Sequence, residues 1–349
     1  MQQQTPKRPP FEDIRDLLAK LPAPDEASAD LARRRDADLT KPPGSLGRLE
    51  EIAVWLAAWQ GRYPPRIDRP VVAVFAGNHG VASRGVSAYP AEVTQQMVAN
   101  FQSGGAAINQ LCRASGAVLK VFELALEMPT GDITEEDALD EASCAATIAY
   151  GMEAVAQEAD LLGIGEMGIG NTTVAAALAH GLFGGQVEDW VGRGTGVDDS
   201  GLKRKHDAVS QAVGRLKRQH GDAPEPLTVL RSLGGRELAA MVGAILAARF
   251  SRVPVLIDGY VASAAAAVIH ALDPAALDHC MFAHQSAEQA HGRLLAAMGK
   301  TALFDFGMRL GEGSGAALAI GVARAALEVH TGMSSFSEAG VSNRDKKPG

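Results

Sequence analysis

Val71-Val72-Ala73-Val74-Phe75 runs straight into Ala76-Gly77-Asn78-His79-Gly80. Five apolar residues with no polar alternation suit a β-strand covered by helices on both faces, the situation of a parallel sheet. The glycines and polar side chains behind it suit the loop that leads from such a strand into a helix. Outward from this stretch the pattern recurs. Val118 to Phe122, Leu161 to Ile164, Val253 to Ile257 and Leu303 to Phe306 are strand-like runs separated by long alanine-rich, helix-compatible segments. Such alternation is the rhythm of βα units. It predicts an α/β fold, a doubly wound and mostly parallel sheet over residues 68–325.

Ahead of that core, Phe11 to Arg62 is polar and helix-prone, with Ile14, Leu17, Leu18 and Leu21 at helical spacing. These helices are expected to pack apart from the sheet. The end of the chain, Ser342 to Gly349, is charged and closes on Pro-Gly, so it is expected to fray.

The 349 residues are 46% hydrophobic and 21% charged, ordinary for a soluble protein. A net charge of -8, with no basic tract interleaved with aromatics, argues against a nucleic-acid-binding face. Cys112, Cys144 and Cys280 lie far apart, so neither a disulfide framework nor a zinc knuckle is indicated, and buried thiols are expected. Met1 to Pro6 holds no apolar signal core, and the greasiest runs, Leu238 to Ala248 and Gly259 to Leu272, are too short or too alanine-rich to span a bilayer. A cytoplasmic protein without membrane insertion is expected.

Ligands of open parallel sheets bind where the carboxyl ends of strands meet their loops. Three such loops are glycine-rich here. Gly307-Met308-Arg309-Leu310-Gly311-Glu312-Gly313-Ser314-Gly315 carries a lone carboxylate, Glu312, which either touches a small molecule or steadies the next helix through its dipole. Gly168-Ile169-Gly170-Asn171-Thr172-Thr173 leads into a helical segment and would aim backbone N–H groups at an anion such as phosphate. It lacks the Walker lysine and the dinucleotide fingerprint, and a simple helix cap by Asn171 or Thr172 is its structural alternative. Gly192-Arg193-Gly194-Thr195-Gly196, followed by Lys203-Arg204-Lys205, offers a cation for the same anion, or a solvated helix face. His79, His284 and His291 lack the companions of a metal site, so no metal or other cofactor is expected. Asp258, at a strand end, is either an edge carboxylate or a turn residue hydrogen bonded beside Gly259.

Taken in order, four segments are more specific: Leu39 to Glu50 (Leu-Thr-Lys-Pro-Pro-Gly-Ser-Leu-Gly-Arg-Leu-Glu), Gly85 to Thr94, Gly165 to Thr173, and Arg309 to Gly315. Together they resemble the nicotinate-nucleotide:dimethylbenzimidazole phosphoribosyltransferases of cobamide biosynthesis, over about residues 30–341. The resemblance implies a homodimer whose subunit has a Rossmann-like large domain (68–325) and a small helical domain built from both chain ends (1–67 and 326–349). It implies substrates nicotinate mononucleotide and dimethylbenzimidazole. It places Glu312 at the catalytic base; a second carboxylate, Glu166, precedes the phosphate loop and either supports charge on an oxocarbenium-like sugar or substitutes for Glu312 as acceptor. Gly168, Gly170, Asn171, Thr172, Gly194 and Lys205 fall where the phosphate is held. Ser87, Tyr89, Pro90, Gln95, Met167 and Leu310 fall around the acceptor base. Two positions depart from the pattern: Asn78 replaces a common Asp, and Ala283-His284-Gln285-Ser286-Ala287-Glu288 replaces Ser-His-Arg-Ser-Ala-Glu.

The implied chemistry asks little of the protein. Nicotinate leaves a pyridinium with the bonding electrons and needs no general acid. The attacking benzimidazole needs a proton acceptor, the role available to Glu312. Transfer to another flat base, such as adenine or a phenol, or nucleotide sensing without turnover, uses the same residues.

Overall fold

Leu161-Leu162-Gly163-Ile164 is almost wholly apolar and forms the heart of a six-stranded sheet, every pair of which is parallel. The computed structural model describes residues 9–155 and 159–342; the first eight residues and the end expected to fray, 343–349, lie outside the described residues. In chain order the elements are α1 (Glu12–Leu18), α2 (Glu26–Asp38), α3 (Arg48–Gln60), β1 (Pro70–Ala76), α4 (Glu92–Ser103), α5 (Ala107–Ser115), β2 (Val118–Glu123), α6 (Glu141–Val155), β3 (Leu161–Met167), α7 (Asn171–Phe183) and α8 (Asp199–His220). There follow α9 (Pro226–Leu233), α10 (Arg236–Phe250), β4 (Val255–Ile257), α11 (Tyr260–Leu272), β5 (Cys280–His284), α12 (Gln289–Ala297), β6 (Ala302–Phe304) and α13 (Ser314–Gly332).

The strand order is β2-β1-β3-β4-β5-β6. The chain reverses its direction across the sheet between β1 and β3, which opens a crevice beside their carboxyl ends. β1, β3 and β4 are almost entirely buried, as their unbroken apolar runs require. One face packs under α6 to α12, with Phe75, Leu162, Ile164 and Ile257 at its centre. The other lies under α3, α4, α5 and α13, with Val72, Val74, Leu256 and Ile320. Each such side chain contributes roughly 1.5–3 kcal/mol on burial.

Two expectations need correction. A fifth strand in chain order, β5, was not foreseen, because Cys280-Met281-Phe282-Ala283-His284 holds no β-branched residue and its place between β4 and β6 is decided by burial rather than propensity. The helices near the start of the chain do not pack apart either. Phe11 and Ile14 of α1 join the cluster beneath the sheet, and α3 shares the opposite cluster with α13. Among the described residues no helix is long and apolar enough to cross a membrane.

Candidate active site

The ends of β3, β4, β5 and β6 converge on a cavity of about 650 Å³, bordered by Glu166, Met167, Tyr260, His284, Glu288 and Glu312 among others. Glu312 reaches it through a tight turn. Gly311, Glu312 and Gly313 take left-handed φ values of 80°, 60° and 75°, a conformation that costs a non-glycine residue about 1–2 kcal/mol. Gly165 of β3 lets the turn pass, because a Cβ there would collide with the Gly313 amide. α13 begins with Gly313 as its N-cap, and the side chain that accepts from its first amides belongs to Asp258, not Glu312. The Glu312 side chain is therefore not committed to the helix end; it is buried in the cavity wall.

Burial pushes the Glu312 carboxyl up to about 7, helped by the charge of Asp258. Glu166 is pushed further, to about 8, first by burial and then by Asp258 and Glu237, while the Asn171 amide that donates to it pulls the other way. Desolvation is thus the largest cause at both carboxyls. At neutral pH Glu166 is mostly protonated and able to donate, whereas Glu312 is poised to gain or lose a proton.

A hollow of about 30 Å³ adjoins the cavity, bordered by Gly168, Gly170, Asn171, Thr172, Arg193 and Lys205 together with Ser87. Lys205 is not on a solvated face. α8 turns it inward, only 1% exposed, where its Nζ donates to Thr172 Oγ1 at 2.9 Å. Burial lowers its ammonium to about 8, opposed by the charge of Glu288. The N-terminus of α7 opens beside it, with Gly170 as N-cap and no side-chain cap. Asn171 binds Glu166 and Thr172 binds Lys205, so neither serves as the helix cap. Gly194 borders the large cavity, and its carbonyl accepts from Arg309 Nη1 at 3.0 Å, tying the last loop to the glycine cluster.

Tyr89, Met167 and Leu310 border the large cavity. Pro90 and Gln95 are exposed near the start of α4 and border neither space. Asn78 is turned away, donating to the Leu126 carbonyl at 2.9 Å, and Gln285 borders a separate groove between α12 and β6. His79 lies buried with Nε2 2.6 Å from Glu237 Oε1. His291 pairs with Ser263 Oγ and accepts from the Ser286 amide. Among the described residues no group of three or more His, Cys, Asp or Glu has the arrangement of a metal site.

Tyr260, His284, Glu288 and Arg309 are polar groups of the cavity wall to which sequence reasoning gave no part in the site; Asp258, offered there as an edge carboxylate or a turn residue, stands behind that wall. Asp258 does not hydrogen bond within its own turn as the turn reading expects; it accepts from the amides of Gly313 and Ala316 at 3.1 and 3.0 Å. Its strand-end position was the available signal. His284 sits on the unforeseen β5, and Arg309 lies in the quoted glutamate loop.

Residues 21–341 match the family model described as Phosphoribosyltransferase, so the chain is an enzyme of the pentosyl-transfer class. Curated relatives named nicotinate-nucleotide–dimethylbenzimidazole phosphoribosyltransferase include those of Sinorhizobium medicae and Rhizobium meliloti, each 62% identical over 96% of this chain and 98% of theirs. A crystal structure of CobT from Thermus thermophilus superposes with a TM-score of 0.83 at 41% identity, over 91% of this chain and 99% of that one. The chain belongs to the nicotinate-nucleotide:dimethylbenzimidazole phosphoribosyltransferase family.

Proposed function

We propose that the protein transfers the phosphoribosyl group of nicotinate mononucleotide to 5,6-dimethylbenzimidazole, giving α-ribazole 5'-phosphate and nicotinate for the nucleotide loop of cobalamin. The observation that carries this reading is one cavity holding a carboxyl of near-neutral proton affinity, Glu312, beside a hollow headed by the buried cation Lys205. Lys205, Thr172, Gly168, Gly170, Asn171 and Gly194 hold the phosphate, and Tyr89, Met167 and Leu310 flank the acceptor ring. Ser87, on the border of the hollow, and Pro90 and Gln95, exposed near the start of α4, complete the acceptor side in this reading. One acceptor nitrogen attacks C1' from the face opposite nicotinate. The C1'–nicotinate bond breaks with its electrons going to the pyridine ring, and the anomeric centre inverts. The second acceptor nitrogen turns acidic as its ring becomes cationic, and Glu312 takes that proton. Glu166, mostly neutral at pH 7, donates a hydrogen bond near the sugar. Holding both substrates in line supplies much of the acceleration.

The protein acts in this reading as a cytoplasmic homodimer, with residues 68–325 as the catalytic part and both chain ends as a small helical part that shares its hydrophobic clusters with the sheet. Nicotinate release from nicotinate mononucleotide, measured with and without dimethylbenzimidazole, is the test. Release dependent on dimethylbenzimidazole supports the proposal. Release only with adenine or a phenol would reassign the acceptor, and none with any base would leave a nucleotide sensor.

A further inference from the structure

We infer that Asp258 is the positioning residue of the site: it fixes the Glu312 turn through the backbone and acts on the Glu312 carboxylate through its charge. The inference rests on the reading of Glu312 as proton acceptor. Asp258 follows β4, one strand over from β3 in the sheet, and is 1% exposed. Its Oδ2 accepts from the amide of Gly313 at 3.1 Å and its Oδ1 from that of Ala316 at 3.0 Å. The Gly315 amide also favours its charged form. One carboxylate thus gathers the amides on the C-terminal side of Glu312, capping the first turn of a helix whose own N-cap residue, Gly313, has no side chain to do so. Those bonds hold Glu312 in its left-handed conformation, which no intrinsic preference of glutamate supports.

The same carboxylate reaches Glu312 by its field. The other ionisable groups bordering the cavity with Glu312 are Tyr89 ahead of α4, Glu166 from β3, Tyr260 from α11, His284 from β5, Glu288 ahead of α12, and Arg309 on its own loop. Asp258 stands behind them, its Oδ1 3.6 Å from His284 Nε2. After burial, Asp258 is the cause that raises Glu312. Asp258 itself is raised by burial, with His284 and the helix amides favouring its ionised form. Glu312 therefore holds its proton more tightly than burial alone dictates, which suits an acceptor working near neutral pH.

The test is Asp258→Asn, close in size but uncharged. Its turnover should fall at least tenfold, and the acidic limb of its kcat–pH profile should move down by about one pH unit. A purely structural role would scale the profile without moving it, and an unmoved limb would overturn the inference. In a Glu312→Gln background the same change should cost little further turnover, because Asp258 acts through Glu312; an undiminished second loss would also overturn it. Should Asp258→Asn not fold, Asp258→Glu keeps the charge while shifting the oxygens, so it should lower kcat with the limb in place. A limb that moves in that variant counts against the inference. Absence of base-dependent nicotinate release from the wild type would instead overturn the proposed function, a separate outcome.

Discussion

Glu312→Gln separates what this carboxylate does from what it costs. The folded protein raises it from 4.5 to about 7, which disfavours the ionised form by roughly 3 kcal/mol, reduced to about 2 kcal/mol by contact with cavity solvent. Between those pH values the folded chain keeps a proton that the unfolded chain has lost. This contribution to stability is therefore fully present below pH 4.5 and is lost as pH rises through 7. Glutamine does not titrate. Relative to wild type, the variant should gain about 2 kcal/mol between pH 4 and pH 8, read from urea unfolding at the two values, because other groups titrate alike in both proteins. Over the same range wild-type kcat should rise, reaching only about a tenth of its plateau at pH 6, where about one carboxyl in ten is ionised. The variant should retain nucleotide binding and lose turnover by roughly 100-fold or more. Wild-type turnover in the variant would refute the proton-acceptor role. Lost turnover without the pH-dependent gain in stability would refute the burial argument.

Lys205→Ala removes the cation that faces Thr172, and the apparent affinity for nicotinate mononucleotide should fall at least tenfold; an unchanged affinity would show that the phosphate lies elsewhere. Because the free ammonium titrates at about 8, wild-type nucleotide affinity should decline as pH rises above that value, a trend that titration calorimetry at pH 7 and 9 would detect. Gly165→Ala drives a methyl into the Gly313 amide and should cost about 1–3 kcal/mol in unfolding experiments, with a larger loss in nicotinate release than in nucleotide binding.

What the sequence made legible follows from the range over which each signal acts. β1 and β3 announce themselves because strands buried on both faces must be apolar throughout. The glycine loops are equally local, so Gly168 to Thr173 and the Glu312 loop could be found from a dozen residues each. Lys205 could not be told from Lys203 and Arg204 by composition, since only the packing of α8 turns it toward Thr172. Asp258 was more opaque still. Its partners lie 55 and 58 residues away along the chain, and nothing local distinguishes an aspartate that binds its own turn from one that binds the next loop but one. β5 disappeared for a related reason: Cys, Met, Ala and His can line a strand when neighbours on both sides supply the context.

Glu166 and Glu312 in the cavity wall and Asp258 behind it crowd three carboxyls together, and burial raises all three. Such a cluster would be a poor place to hold an anionic nucleotide, yet the anion has its own corner around Lys205 and the start of α7. Along the proposed reaction a single positive charge sits first on the pyridinium, then on the sugar as the bond loosens, and finally on the acceptor ring. The negative charge of ionised Glu312 and of Asp258 favours that cation at each stage, and Glu312 is the group placed to remove it. Proton transfer to Glu312 ends the cationic sequence and relieves the acceptor of its charge, but it also leaves a neutral carboxyl where an anion stood. The proximity of Asp258 makes that exchange favourable, since neutralising Glu312 removes a like-charge repulsion. The raised proton affinity is then the driving force for the last step, and the stability given up near neutral pH is the consequence of placing it there.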